Sequence, residues 1–144
     1  MAIYASSYTD CGLASLASYA PKITCTLSEE AYRLDTGGML SCRPVAAILA
    51  ADGSFTVDLV PNDRIAGNTF YYVKATYLDE TGGMAQIDLF KVYARTGSGT
   101  LIDMAIPGSW APAYLIVSDY QPNPWPVGWV WASELTGDVN RRTA

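Results

Sequence analysis

The chain of 144 residues contains no histidine. That excludes Ser-His-Asp and Cys-His catalysis and every His-ligated metal centre. Charge is scarce as well. Only 16% of residues are Asp, Glu, Lys or Arg, against about 25% in an ordinary soluble domain. Nine scattered basic side chains and a net charge of −5 are a poor match for nucleic acid, which selects clustered Lys and Arg. No apolar run reaches the roughly 18 residues of a bilayer span. The stretch MAIYASSYTDCGLASLASYA has no basic leader and contains Asp10, so it does not read as a signal peptide. Neither nucleic acid nor membrane is expected as a partner, and a cytosolic site of synthesis and assembly is.

Cysteine is sparse. Cys11, Cys25 and Cys42 are separated by 14 and 17 residues, which matches no CxxC metal or redox pattern. Cys25 and Cys42 sit in largely apolar sequence, where a cysteine acts as a small hydrophobe. A disulfide between them needs adjacent strands and an oxidising compartment.

What is present is apolar and aromatic. Half the residues are hydrophobic and 12% are aromatic, which argues against disorder and for a packed core. The length suits one domain. So little charge leaves apolar surface uncovered on a lone molecule, and a partner is expected to meet it.

Residues 1–21 read as an N-terminal arm, with one short helix in GLASLASYA and with Tyr4, Tyr8, Leu13, Leu16 and Tyr19 in need of a surface. Residues 22–105 read as strands. KITCTL and SFTVDLV alternate with the period of half-buried strands. Asp52-Gly53 marks a hairpin turn between MLSCRPVAAIL and SFTVDLV. Pro44 makes the first of these an edge strand or two short strands joined by a kink. In NTFYYVKATYLD, Tyr71, Val73, Ala75 and Tyr77 form the core row and Phe70, Tyr72, Lys74 and Thr76 the outer row. In AQIDLFKVYA the apolar parity changes at Leu89–Phe90, the mark of a β-bulge or a strand changing sheets. RTGSGT reads as a flexible connector, and Leu101–Ala105 as a last strand. Residues 106–144 hold five prolines and all four tryptophans and read as an extended C-terminal segment. The expected fold is all-β: a single antiparallel β-sandwich, immunoglobulin- or fibronectin-like, between these two flanking segments.

No catalytic constellation stands out. Asp79-Glu80, Asp58, Asp63 and Asp52 lie at strand ends and turns, where carboxylates routinely cap backbone N–H groups, and no spacing selects a glycosidase pair. Any metal would be calcium on oxygen ligands, but no DxDxDG loop is present. Gly97-Ser98-Gly99 and Gly82-Gly83 lack the strand-loop-helix context of a phosphate cradle. No enzyme, cofactor or metal is therefore expected. The positive signal is aromatic. Trp129 and Trp131 share a face if the chain is extended there. Trp125 is held between Pro124 and Pro126. With Trp110, Tyr120, Tyr4 and Tyr8 they are candidates for an interface, because Trp and Tyr give large contact area with few rotors. The same rings could instead stack on a glycan, or cover the chain's own core.

The run RPVAAILAADGSFTVDLVPND (43–63), followed by FYYVKATYLDETGG (70–83), resembles small β-sandwich domains of tailed-bacteriophage structural proteins, of the minor tail, fibre-base and head-decoration kinds. The stretch with Trp129, Trp131, Thr136, Gly137 and Asp138 is similar to their ends. The resemblance implies a virion structural role and carries over no catalytic residue. The low charge and the apolar arms at both ends add the expectation of a homo-oligomer, assembled in the host cytoplasm, that docks on other virion structural proteins through those arms. A carbohydrate-binding module stacking glycans on Trp125, Trp129, Trp131 and Tyr120 is the competing expectation.

Overall fold

A computed structural model describes residues 2–97, 99–109, 115–118 and 120–143. The chain is all-β. Its strands are β1 (Ala2–Ser7), β2 (Lys22–Leu27), β3 (Ala31–Tyr32), β4 (Met39–Leu40), β5 (Val45–Ala46), β6 (Ile48–Leu49), β7 (Ser54–Leu59), β8 (Tyr71–Leu78), β9 (Met84–Val92), β10 (Gly99–Thr100), β11 (Leu115–Ser118), β12 (Val130–Ser133) and β13 (Val139–Arg141). The described helices are three short 3-10 turns, at Ala14–Tyr19, Asn62–Arg64 and Ile102–Met104.

The strands fall into several sheets. Two have four strands, in the orders β10-β1-β7-β6 and β5-β2-β8-β9. Sheet β11-β12-β13 and hairpin β3-β4 complete the set. The alternating rows meet in one buried cluster: Tyr4, Phe55, Val57 and Leu59 from the first sheet, and Ile23, Cys25, Val73, Ala75 and Ile87 from the second. The expected core row of β8 is buried at all four positions. Burying a side chain such as Val73, Leu59 or Ile87 stabilises the fold by about 1.5–3 kcal/mol.

The segment expected as an N-terminal arm is a strand inside the first sheet. β1 pairs antiparallel with β7 over six residues and parallel with β10. Ala2, Tyr4, Ser6 and Tyr8 point inward, while Ile3 and Ala5 are exposed. The tyrosines are tolerated in the core because each hydroxyl has a carbonyl to donate to, Arg95 for Tyr4 and Pro21 for Tyr8. The expected short helix appears as the turn Ala14–Tyr19, which buries Leu16.

The parity change in β9 is a bulge. Val73 pairs with Phe90 and Lys74 with Asp88, so Leu89 is the extra residue, and both Leu89 and Phe90 are buried. Two sequence expectations need correction. Gly99–Thr100 of the expected connector is a strand. Leu101–Ala105 is mostly a 3-10 turn, because its spacing of three turns both Leu101 and Met104 inward.

Two crossings join the edges of the four-stranded sheets. After Pro44, β5 pairs with β2 at the edge of one sheet, and β6 pairs with β7 at the edge of the other. Residue 47 is the switch, and its N–H donates to the Ile23 carbonyl at 2.9 Å. The second crossing runs from β10, beside β1, to Ala105, which bridges Val92 at the end of β9. Asn62 ties this region to the core. It is 1% exposed, its amide donates to Thr69 Oγ1 at 3.0 Å, and its Oδ1 accepts the Ala94 N–H at 2.7 Å.

Candidate assembly surface

The aromatic residues singled out in the sequence are not gathered into one open surface. Tyr4 and Tyr8 belong to the core. Trp129 and Trp131 are 3% and 6% exposed and join the same cluster. Trp129 lies against the Gly12 turn, where a Cβ would stand 3.6 Å from its indole nitrogen. The Trp131 indole donates to Ser118 Oγ at 3.1 Å. Trp125 is half-buried and donates to the Trp129 carbonyl at 3.0 Å, while Arg142 donates to the Trp125 carbonyl at 2.6 Å. Trp110 lies outside the described residues.

Tyr120 has a different task. It is 39% exposed, and its hydroxyl donates to the Asp79 carboxylate. Asp79 opens the turn between β8 and β9 and is itself 5% exposed. Its Oδ1 accepts the N–H groups of Thr81 and Gly83, both at 3.0 Å, and the Thr81 hydroxyl at 2.7 Å. Its Oδ2 also accepts the Asn123 N–H at 3.2 Å. One carboxylate thus fastens the C-terminal segment to the β8–β9 turn. The Tyr120 hydroxyl foremost, then Thr81 and the backbone donors, hold its acid form off and lower its pKa to about 2. Further ties run from the Glu80 N–H to the Asn123 carbonyl at 2.9 Å and from the Tyr77 hydroxyl to the Pro124 carbonyl.

Exposed apolar side chains are spread over the chain, Leu135 and Val139 of the C-terminal segment among them, and a run of them lies at one sheet edge. From Met39 to Leu49 the chain exposes Met39 (74%), Val45, Ile48 (76%) and Leu49. Arg43 is the one charged side chain in that run. These residues form β4 and the two edge strands β5 and β6. Each edge strand pairs over only two residues. A cleft of about 260 Å3 beside them is lined by Leu27, Met39, Leu40, Val45 and Leu59, with Arg43 and Asp58 among its other lining residues. A sheet edge of this kind is a template for a further strand, and natural monomers blunt such edges with lysine, proline or bulges. Pro44 does so at one position, but Ile48 and Leu49 do not. The sequence signal was Pro44 within an apolar run. It marked an edge without saying that both sheets would share it.

Cys11 and Cys25 are buried and free, and Cys42 is exposed. Cys42 therefore does not act as a buried hydrophobe, because it lies in the exposed connection between β4 and β5 and not on an inward strand position. Cys25 faces inward from β2, so no Cys25–Cys42 bridge forms. Among the described residues no group of three or more Cys, Asp or Glu side chains is gathered as a metal ion requires, and no helix is long and apolar enough to cross a membrane. Compared with family models, curated proteins and solved structures, the chain matches none.

Proposed function

We propose that this protein is a non-enzymatic structural subunit of a phage particle, of the head-decoration, neck or tail-accessory kind. It self-assembles and docks on other virion proteins through uncovered apolar surface. In this reading the two four-stranded sheets are the layers of a β-sandwich. The observation that carries the assembly reading is the exposed apolar edge at 39–49, with Ile48 and Met39 the most open side chains in it. The phage assignment rests on the sequence resemblance at 43–63 and 70–83. The glycan reading through the tryptophans gains nothing from burial of Trp129 and Trp131.

Size-exclusion chromatography with light scattering tests the assembly reading. The full chain should run as an oligomer of defined mass. Ile48→Lys puts a charge on an exposed edge and leaves the core untouched. If Ile48 contributes about 2 kcal/mol to each contact, the variant should associate about thirtyfold more weakly. Because apolar burial drives the contact, raising salt from about 0.1 to about 0.5 M should leave the wild-type mass unchanged. A wild-type monomer at every concentration would overturn self-assembly.

A further inference from the structure

All three lysines of the chain, Lys22, Lys74 and Lys91, stand on one face of sheet β5-β2-β8-β9. Lys22 and Lys74 alternate with the buried Ile23, Val73 and Ala75. Lys91 reaches the same face through the bulge, which brings it opposite Tyr72. The cross-strand rows are Thr26–Tyr72–Lys91, Thr24–Lys74–Asp88 and Lys22–Thr76–Gln86. The lysines therefore run diagonally, one per strand, at steps of roughly 8 Å from strand spacing and rise. Asp88 is the one carboxylate that β2, β8 and β9 contribute to this face.

At the bulge the face dips. A cavity of about 250 Å3 is lined there by Tyr72, Lys74, Asp88, Phe90, Lys91 and Ser109 among others. The Lys91 ammonium lies 5.2 Å from the Phe70 ring centre and 5.7 Å from that of Tyr72, and the Lys74 ammonium lies 5.8 Å from the Tyr72 ring. Two like charges thus share one ring. Asp88 offsets them weakly, with Oδ1 3.9 Å from Lys74 Nζ and its side chain mostly in solvent. The net charge of −5 does not decide what binds here, because exposed charges beyond about 8 Å are screened at physiological salt.

The donor set selects a ligand class. Two ammoniums favour an anion, while the Asp88 carboxylate beside Lys74 opposes a compact dianion such as phosphate. A monoanion that also carries hydroxyl groups satisfies both, with its charge on the lysines and its hydroxyls donating to Asp88. We propose that this dip binds an acidic sugar: a single hydroxylated ring bearing one carboxylate, such as a uronate. None of its residues belongs to the 39–49 edge, so the site does not depend on the assembly reading.

The test is a titration of the full chain with glucuronate, followed by backbone amide NMR shifts. Saturable shifts at Tyr72, Lys74, Asp88, Lys91 and Ser109 are expected at millimolar ligand. The double variant Lys74→Gln, Lys91→Gln should bind at least about tenfold more weakly. Glucose should bind more weakly than glucuronate. Asp88→Asn is the sharpest arm. An acidic sugar exchanges a charged acceptor for a weaker amide oxygen, so its hydroxyls are held less well and it binds more weakly, whereas a simple anion patch loses only a repulsive charge and binds more tightly. These side chains point off the sheet, so unchanged melting curves confirm that the variants fold. Absence of shifts at those amides, tighter glucuronate binding by Asp88→Asn, or inorganic phosphate binding as well as glucuronate would each overturn the proposal.

Discussion

At Asp79, one carboxylate holds two parts of the chain together by accepting from Tyr120, Thr81, Gly83 and Asn123. Its pKa, lowered to about 2, lies below the value of about 3.9 in an unfolded chain. A depressed pKa stabilises the fold fully above the unfolded value, and that contribution is lost as pH falls through the folded one. Wild type should therefore be more stable than Asp79→Asn at neutral pH. The gap should shrink as pH falls from about 5 and close only below about pH 2. Urea unfolding followed by tryptophan emission at several pH values measures it, and a gap independent of pH would rule out this role for the carboxylate. Gly83 belongs to the same fastening. A Cβ there would stand 2.7 Å from the Tyr120 ring carbon that bears the hydroxyl, so any side chain must push Tyr120 aside. The sequence showed Asp79 as a turn carboxylate. It could not show Tyr120, because the partner lies 41 residues away.

At the scale of elements, alternation was legible wherever polar and apolar positions differ sharply. β2, β7 and β8 follow that rule, and so did the bulge, since Leu89 and Phe90 break the parity in plain view. β1 was hidden because its outward positions carry Ile3 and Ala5, so the row of Ala2, Tyr4, Ser6 and Tyr8 did not stand out. The lysine face was half legible. Phe70, Tyr72 and Lys74 read as an outer row, but Lys91 joins them only through the register shift. Deleting Leu89 tests the bulge as an element. Phe90 and Asp88 already face Val73 and Lys74, so the flanking register survives and the strand becomes regular. The chain should still fold, with a loss of about 2–5 kcal/mol for the missing core leucine, and the glucuronate response should vanish with the dip. Urea unfolding measures the first and the amide titration the second. Global unfolding of the variant would show that the bulge is needed for the sheet itself.

Across the whole molecule, the three cysteines report the core directly. Burial raises the Cys11 thiol to about 11, partly offset by Ser6, and the Cys25 thiol to about 12. Both are therefore protonated and shielded at ordinary pH, while Cys42 is exposed. Iodoacetamide at about pH 8 should add one group per native chain, on the exposed Cys42. Mass spectrometry counts the adducts, and modification of Cys11 or Cys25 without denaturant would contradict the placement of β2 and of the Ser7–Leu13 turn.

The pairing of β1 has a mechanical consequence. β1 lies between β10, which runs parallel to it, and β7, which runs antiparallel over six residues. Tension on the chain at residue 2, resisted beyond residue 100, draws β1 and β10 in opposite directions along their length. The β1–β10 bonds, and with them the six-residue β1–β7 ladder that holds β1 in the sheet, then carry the load together, in shear, and do not open one after another like a zipper. The first sheet is thereby built to resist stretching along the strand direction more strongly than peeling across it.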